Sequence, residues 1–330
     1  MNNTQKTVLR IAIIGAGGIG CYYGARLQNA GHRVKFIARG KHLKALQSNG
    51  LDLEHPNFIF KQKVDACSLD SLFENNKPLN FDITVLCIKA TTTDIIAKRL
   101  HDWFNKHQQK TAVMSFQNGV DNEKILADWL GNDCIIGGLA VRIGGHVITP
   151  GKVKATGVAQ LILGSWPSEK SLTEKRFGND LDKWIKLFNQ AYIPTRKAPD
   201  IRKELWRKLV INNGVNPLSA LTRLDTKAMS HHSQFGPIVQ KLMLEAAKVA
   251  IADGEVLSEE DAIEMYQLIR SFDPIKTSML VDLENGKPLE INEISGAVIA
   301  RAERLGFSIP YTETVFALLA HSLGSSRESS

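Results

Sequence analysis

The sequence has little of several features that define common protein classes. Four cysteines occur in 330 residues, at Cys21, Cys67, Cys87 and Cys134, and their spacing matches no metal-binding motif. Three of them lie in segments with the pattern of buried helix or strand, so we expect reduced thiols and a cytoplasmic protein. No apolar run approaches the roughly 18 residues that a membrane helix needs. The N-terminus is unlike a signal peptide, so we expect a soluble chain with no membrane partner.

Concentrated positive charge is also lacking. The net charge of +7 suits an anionic ligand, but lysine and arginine are spread along the chain. The densest basic run, residues 202–208, is interrupted by acidic and apolar residues, so a nucleic-acid partner is not expected. The adjacent His231 and His232 cannot share a helical face, and no carboxylate motif accompanies them. We therefore expect no metal.

The most informative feature that is present is a glycine-rich turn near the N-terminus. The apolar run Ile11–Ile14 leads directly into G-A-G-G-I-G. This order predicts a buried strand followed by a helix, with a turn that lets the backbone approach a pyrophosphate closely. The pyrophosphate would lie on the N-terminal amides of the helix. The candidate cofactor-binding residues of the turn are Gly15, Ala16, Gly17, Gly18, Ile19 and Gly20.

A second strand, predicted over residues 33–38, ends at Arg39. Many dinucleotide sites have an acidic residue at this place, which accepts hydrogen bonds from a ribose hydroxyl. A carboxylate would repel a 2′-phosphate, whereas a guanidinium can bind it with two hydrogen bonds. Arg39 therefore favours NADPH over NADH, with a solvated strand-end arginine as the alternative. Lys41 and His42 are candidates to add positive charge to the same pocket.

Two kinds of pattern follow one another along the chain. Short β-rich runs alternate at first with helical patterns, and residues 144–164 predict antiparallel strands. The β-rich runs are residues 82–88, 112–116, 134–136 and 160–164, and the helical patterns are residues 93–106 and 122–130. Later amphipathic runs are almost wholly helical, at residues 201–215, 235–253, 259–272 and 291–305. The fold class predicted is α/β, with a doubly wound Rossmann-type domain over residues 1–198 and an all-α domain over residues 199–330.

Polar side chains follow two of the predicted parallel strands. Lys89 ends one strand, and Gln117-Asn118-Gly119 ends the next. Ligands of open α/β sheets bind at the carboxyl ends of the strands. Lys89 and Asn118 are therefore candidates to hold ribose, nicotinamide or an acid substrate, and ordinary solvated strand caps are the alternative.

A polar stripe marks the first helix of the second domain. Lys208, Asn212 and Asn216 are spaced four apart, so their side chains follow one helical face. Asparagine is a poor helix former, so this stripe favours a ligand site over a solvated surface. A lysine facing an apolar cleft has a lowered pKa and gives its proton readily, as carbonyl reduction requires. Pro217 is predicted to kink or end the helix just after Asn216.

In their order and spacing these motifs resemble the 2-dehydropantoate 2-reductase, or ketopantoate reductase, family over nearly the whole chain. The resemblance rests on the glycine turn, Arg39, Lys89, Q-N-G, E-L-W-R-K-L-V-I-N-N-G-V-N-P, T-S-M-L-V-D-L and L-E-I-N. It implies NADPH-dependent reduction of ketopantoate to pantoate, in pantothenate and coenzyme A biosynthesis, with Lys208 as general acid. The implied partner is a small 2-keto acid.

The resemblance also implies roles for other residues. The implied substrate-binding residues are Asn118, Asn212, Asn216 and Ser278. The implied cofactor-binding residues, beyond the turn and Arg39, are Lys89, Asn118 and Glu290. Some relatives carry a further substrate-contacting asparagine where residues 221–227 offer Arg223, Asp225 and Thr226. The segment 137–145 is expected to approach the cofactor as a loop.

Three other functions compete with this one. The chain could reduce a different branched 2-keto acid, or bind NADPH as a non-catalytic sensor, although the presence of Lys208 argues against a sensor. Dehydrogenases of 6-phosphogluconate or glycerol 3-phosphate also join an α/β domain to a helical one, but they lack the helix signature above. A homodimer is compatible with the sequence, which does not fix the oligomeric state.

Overall fold

The computed structural model describes residues 8–167, 181–271 and 273–328, with side chains described as far as residue 323. The chain divides into two compact units. The first comprises residues 1–117 and 121–201, and the second comprises residues 118–120 and 202–330. A sheet with flanking helices occupies the first unit, and the regular elements described in the second are helices. The predicted fold class is confirmed.

The first unit contains a ten-stranded sheet. Its strands are β1 (Arg10–Ile14), β2 (Arg33–Ile37), β3 (Leu51–His55), β4 (Phe58–Gln62), β5 (Asp65–Cys67), β6 (Ile83–Leu86), β7 (Ala112–Ser115), β8 (Ile135–Thr149), β9 (Lys152–Ser165) and β10 (Thr195–Lys197). Its helices are α1 (Gly18–Asn29), α2 (Gly40–Asn49), α3 (Leu69–Asn75), α4 (Thr93–His107), α5 (Asn122–Leu130) and α6 (Leu181–Gln190).

The strand order is β4-β3-β9-β8-β7-β6-β1-β2-β5, with β10 beside β9. The six strands from β8 to β5 are parallel to one another. The chain order reverses direction across β1 and β6, which is the topological switch point of a doubly wound sheet. Ligands of such sheets bind outside the carboxyl ends of the strands at that point. The glycine turn follows β1 directly and therefore lies at this position.

The central strands are apolar on both faces because helices cover both sides of the sheet. In β1, Ile11 and Ile13 pack into one core while Ala12 and Ile14 pack into the other, and none is more than 1% exposed. Strand side chains alternate between faces, so an unbroken apolar run is what a strand buried on both faces requires.

Antiparallel pairing extends the sheet on one side. β8 and β9 form a long hairpin, as predicted for residues 144–164. The expected loop at residues 137–145 is wrong, because this segment lies inside β8 and pairs with β9. The β3–β4 hairpin, which adds to β9 through parallel pairing of β3, was not predicted.

The second unit begins with a long helix, α7 (Ile201–Thr222). The other helices are α8 (Thr226–His231), α9 (Phe235–Ala252), α10 (Glu259–Ser271), α11 (Ser278–Glu284), α12 (Ala297–Leu305) and α13 (Pro310–Glu328), and a π-helical turn, Asn292–Gly296, precedes α12. Of the two outcomes predicted at Pro217, a kink or an end, the end is wrong, since α7 continues through it. Every residue from Asn213 to Ala220 is buried, and this packing outweighs the roughly 3 kcal/mol cost of an interior proline. No helix among the described residues has the length and apolarity needed to cross a bilayer.

Candidate functional site

The glycine turn between β1 and α1 has the geometry of an anion cradle. Gly15 has a φ of +99°, and a Cβ there would lie 2.7 Å from the Cys87 carbonyl carbon, so the position requires glycine. A Cβ built on Gly17 would meet nothing within 4 Å, so the backbone is open above the turn. Gly17 is the N-cap of α1 without a side-chain cap, and no acidic residue occupies the first turn. The free amides of the helix start therefore fit the pyrophosphate of a dinucleotide.

The strand β8 packs against the same turn. A Cβ on Gly18 would lie 2.0 Å from the carbonyl carbon of Gly145, so the two backbones touch. This contact brings the C-terminal half of the 137–145 segment to the first turn of α1. The Ile19 side chain there lies 3.1 Å from a Cβ built on Gly145. Gly20 follows in α1 and is buried. The expected approach of this segment to the cofactor stays a prediction, and Gly145 was not singled out in the sequence.

Arg39 lies directly after β2 and is the N-cap residue of α2. It is exposed, and within the described part of the chain its guanidinium has no ion pair. An unengaged guanidinium at this strand end fits a phosphate on the ribose next to the glycine turn. Lys41 is likewise exposed.

His42 does not add positive charge to the pocket, contrary to the expectation. Its Nδ1 accepts a hydrogen bond from the Gly151 amide at 3.1 Å, so this nitrogen carries no proton. Burial lowers the pKa of His42, and a hydrogen bond to the Ala16 backbone only partly opposes this shift. The ring is therefore neutral at neutral pH and contacts the glycine turn itself.

The two strand-end signatures differ in their surroundings. Lys89 is exposed and follows β6, before a short 3₁₀ turn, Ala90–Thr92. Gln117 is buried, and its Nε2 donates to Thr93 Oγ1 at 2.8 Å. Thr93 in turn donates to Asn122 Oδ1 at 2.8 Å, which ties the starts of α4 and α5 together. Gln117 therefore has a structural role.

Asn118, Lys208 and Glu290 interact within the second unit. The Asn118 Nδ2 donates to Glu290 Oε2 at 3.0 Å, although the two residues are 172 positions apart. Burial lowers the pKa of Lys208 to about 8, and the charge of Glu290 acts in the opposite direction. Three of the predicted site residues thus form one polar cluster.

The asparagines of α7 differ in what they contact. Asn216 is 3% exposed, and its Nδ2 has no hydrogen-bond partner among the described residues. An amide buried in this way costs free energy unless something else accepts its proton, so it indicates a ligand. Asn212 is half-buried, and Ser278 begins α11 at the surface. Neither makes a hydrogen bond to another predicted site residue within the described part of the chain.

Asn213 is the asparagine of α7 that anchors the fold. It is fully buried and donates to Leu242 O at 3.0 Å and Thr312 Oγ1 at 3.2 Å. It also accepts from Ser295 Oγ at 2.8 Å. The spacing from Lys208 places it off the polar stripe, which agrees with its structural role.

Only one of the three polar candidates in residues 221–227 is buried and uncommitted. Arg223 is exposed with a φ of 62°, at the end of α7. Asp225 caps α8 by accepting from the Ala228 amide at 2.8 Å. Thr226 is 5% exposed, and its Oγ1 has no hydrogen-bond partner in the described structure. Its amide donates to Ile275 O at 3.0 Å, which places it beside the segment that leads to Ser278.

Sequence reasoning missed Glu123, a fully buried carboxyl at the start of α5. Burial raises its pKa to about 8, while the backbone amides of Glu123 and Gly138 favour the charged form. Its spacing from other acidic residues did not indicate a functional role, because the burial of a single carboxyl group depends on tertiary packing. Among the described residues, no three His, Cys, Asp or Glu side chains lie together as metal ligands.

The charges of the basic run at the start of α7 are engaged within the second unit. Arg202 pairs with Glu255, and Arg207 pairs with Asp261. Lys203 also pairs with Asp261, at 3.1 Å. The run therefore stabilises the packing of α7 against neighbouring segments.

Comparison with known proteins agrees with the geometry. The family described as "Ketopantoate reductase PanE/ApbA" matches residues 11–168, and its C-terminal part matches residues 200–322. A 2-dehydropantoate 2-reductase of Pyrococcus abyssi is 28% identical over 312 residues, which cover 94% of this chain and 97% of that protein.

Solved structures have the same architecture. The crystal structure of 2-dehydropantoate 2-reductase from Geobacter metallireducens has a TM-score of 0.82 and 29% identity, and the match covers 95% of this chain and 100% of the other. A D-mandelate dehydrogenase with NADH and anilino(oxo)acetate has a TM-score of 0.83 at 22% identity, over 96% of this chain and 99% of the other, and shows the fold alone. The chain belongs to the ketopantoate reductase family.

Proposed function

We propose that the chain is an NADPH-dependent 2-dehydropantoate 2-reductase that forms pantoate, in the cytoplasmic synthesis of pantothenate and coenzyme A. The observation that carries the proposal is the cluster of Lys208 with Glu290 and Asn118, in which burial lowers the pKa of the lysine to about 8. The family membership and the relatives named above support a 2-keto acid as substrate.

In this proposal the first unit supplies the contacts to the pyrophosphate and the 2′-phosphate of the cofactor. The open backbone at Gly17 and the start of α1 would hold the pyrophosphate, and Arg39 would bind the 2′-phosphate. Lys89, Asn118 and Glu290 would hold the ribose and nicotinamide end. When bound, NADPH supplies the hydride that reduces the keto carbon.

Lys208 acts as the general acid. Addition of a hydride to the keto carbon leaves negative charge on the carbonyl oxygen, which the ammonium group stabilises and then protonates. A pKa of about 8 leaves the lysine mostly protonated at neutral pH and makes the proton easier to release than that of an ordinary lysine. The negative charge of Glu290 stabilises the charged form of Lys208 and partly offsets the effect of burial.

The substrate contacts come from the second unit. Asn216, whose buried amide has no hydrogen-bond partner in the described structure, and Asn212 would donate hydrogen bonds to the oxygen atoms of the keto acid. Ser278 would bind the carboxylate. Some relatives have a further substrate-contacting asparagine, and we propose that Thr226 makes this contact here. Its hydroxyl is buried and has no hydrogen-bond partner in the described structure. Arg223 is exposed, and Asp225 caps α8.

A steady-state assay with a panel of 2-keto acids and both nicotinamide cofactors tests the function. Ketopantoate with NADPH should give the highest kcat/KM of the panel. A different branched 2-keto acid with the highest value would keep the chemistry and reject the substrate. Tight NADPH binding with no turnover on any keto acid would favour a non-catalytic sensor.

A further inference from the structure

His42 links two backbone segments of the first unit, one directly and one through Cys21. Its Nδ1 accepts from the Gly151 amide at 3.1 Å, at the turn between β8 and β9. On its other side the ring faces α1 and the middle of the glycine turn, which it reaches through Cys21. The Cys21 thiol donates to the Ala16 carbonyl at 3.3 Å and lies 3.7 Å from His42 Nε2.

These contacts fix the tautomer of the ring. The Gly151 amide can only donate, so Nδ1 of His42 must be the unprotonated nitrogen. In a neutral imidazole the proton then lies on Nε2, which faces Cys21, the donor to the Ala16 carbonyl. The carbonyl is thereby connected to α2 as well as to α1.

The position of Ala16 gives this arrangement a consequence for cofactor binding. Ala16 lies between Gly15 and Gly17, and its own amide donates to Ile37 O at 2.8 Å. Ala16 is thus held from both sides: β2 accepts from its N–H, and the Cys21 thiol, with His42 beside it, donates to its C=O. The orientation of the Ala16–Gly17 peptide, which carries this carbonyl, sets the direction of the amides that follow, which would meet a pyrophosphate.

His42 also belongs to the helix that Arg39 caps, three residues further along. The His42 side chain therefore links the glycine turn to α2, the helix capped by Arg39, which is the residue proposed to bind the 2′-phosphate. We infer that His42 is a positioning residue that holds the glycine turn in register with α2 through Cys21 and the Ala16 carbonyl, and so sets the affinity for the dinucleotide. This inference rests on the dinucleotide site of the proposed function, and it does not depend on which keto acid is reduced.

Two substitutions separate the two contacts of the ring. The amide nitrogen of glutamine occupies about the place of the histidine Nε2, so His42→Gln keeps a donor toward Ala16. The amide oxygen of asparagine occupies about the place of Nδ1, so His42→Asn keeps the acceptor for Gly151. His101, whose Nδ1 lies 2.8 Å from Trp129 O, provides the control His101→Ala, which removes a comparable contact away from the turn.

Dissociation constants for NADPH and NADH, measured by fluorescence titration, test the inference. His42→Ala should weaken both dinucleotides equally, by about tenfold for one lost hydrogen bond. His42→Gln should restore most of the affinity, and His42→Asn should not. At saturating NADPH the kcat of the His42 variants should stay close to that of the unaltered chain, with the loss confined to the KM for the cofactor. His101→Ala should bind normally.

A spectroscopic readout without cofactor accompanies the titration. The imidazole nitrogen signals of His42 should show the neutral Nε2–H tautomer in the ligand-free chain. An Nδ1–H tautomer, unchanged affinity in His42→Ala, or rescue by asparagine but not glutamine would overturn the inference. Normal dinucleotide binding without reduction of any keto acid would overturn the proposed function alone. Absence of binding in the unaltered chain would overturn both.

Discussion

At the scale of single residues, the proposed reaction depends on the protonation state of Lys208. Burial lowers the pKa of this lysine to about 8. The protonated form is the acid, so kcat should be constant at neutral pH and fall as the pH rises above about 8. Lys208→Met should lower turnover by roughly 100-fold or more and remove this alkaline limb. The measurement is kcat against pH for both proteins, and a limb that persists in Lys208→Met would assign the acid to another group, with Lys89 the next candidate.

Arg39 carries the prediction of cofactor preference. A charge-assisted hydrogen bond to a phosphate contributes roughly 1.5–3 kcal/mol, so Arg39→Ala should weaken NADPH by about tenfold to a hundredfold. NADH has no 2′-phosphate, and its affinity should hardly change. Arg33, an exposed arginine at the opposite end of β2, supplies the control Arg33→Ala. An equal loss of affinity for NADPH and NADH in Arg39→Ala would show that the Arg39 side chain does not bind the 2′-phosphate.

At the scale of elements, α7 combines the anchor Asn213 with the stripe that we propose binds the substrate. Asn213 makes three hydrogen bonds to buried partners, so Asn213→Ala should lower Tm markedly through the polar groups that it leaves unsatisfied. Asn216 Nδ2 has no hydrogen-bond partner in the described structure, so Asn216→Ala should leave Tm nearly unchanged and raise the KM for ketopantoate. Thermal unfolding and steady-state kinetics on the two variants test the division. A large fall in Tm for Asn216→Ala, with an unchanged KM, would make Asn216 a core residue.

The packing of α5 against β8 carries a pH dependence of stability. The folded-state pKa of Glu123 is raised from 4.5 to about 8. The folded chain therefore holds this proton more tightly than the unfolded chain, and the associated stability is lost as the pH rises from 4.5 to about 8. Glu123→Gln stays neutral, so its Tm relative to the unaltered chain should increase across that range. A Tm difference that is independent of pH would show that the carboxyl is ionised in the folded state.

Local patterns predicted some elements well and others not at all. The unit β1, α1 and β2 followed from contiguous apolar runs and a glycine turn, since its strands and helix are adjacent in sequence. The β3–β4 hairpin was missed because β3 is stabilised by β9, about 100 residues later along the chain. α7 does not end at Pro217, one of the two outcomes predicted there, because tertiary packing of the surrounding residues outweighs the local penalty.

At the scale of the whole molecule, the site depends on residues that are far apart in the sequence. Spacing alone placed Lys208, Asn212 and Asn216 on one stripe, but Asn118 and Glu290 are 172 positions apart, and no local pattern joins them. The family resemblance implied that both bind the cofactor, but it did not predict the hydrogen bond between them. The sequence also did not distinguish the structural asparagine of α7 from the one without a partner. That distinction depends on the packing of α9, α13 and the π-helical turn around Asn213.

The central claim is that this chain reduces ketopantoate with NADPH and that Lys208 supplies the proton. A single-turnover experiment tests it most directly, because it observes the chemical step without product release. The chain is loaded with NADPH and mixed rapidly with ketopantoate, and oxidation of the nicotinamide is followed by absorbance. We expect rapid oxidation in the unaltered chain, and oxidation slower by roughly 100-fold or more in Lys208→Met at equal NADPH occupancy. Equal rates in the two proteins, or no oxidation by ketopantoate in either, would contradict the claim.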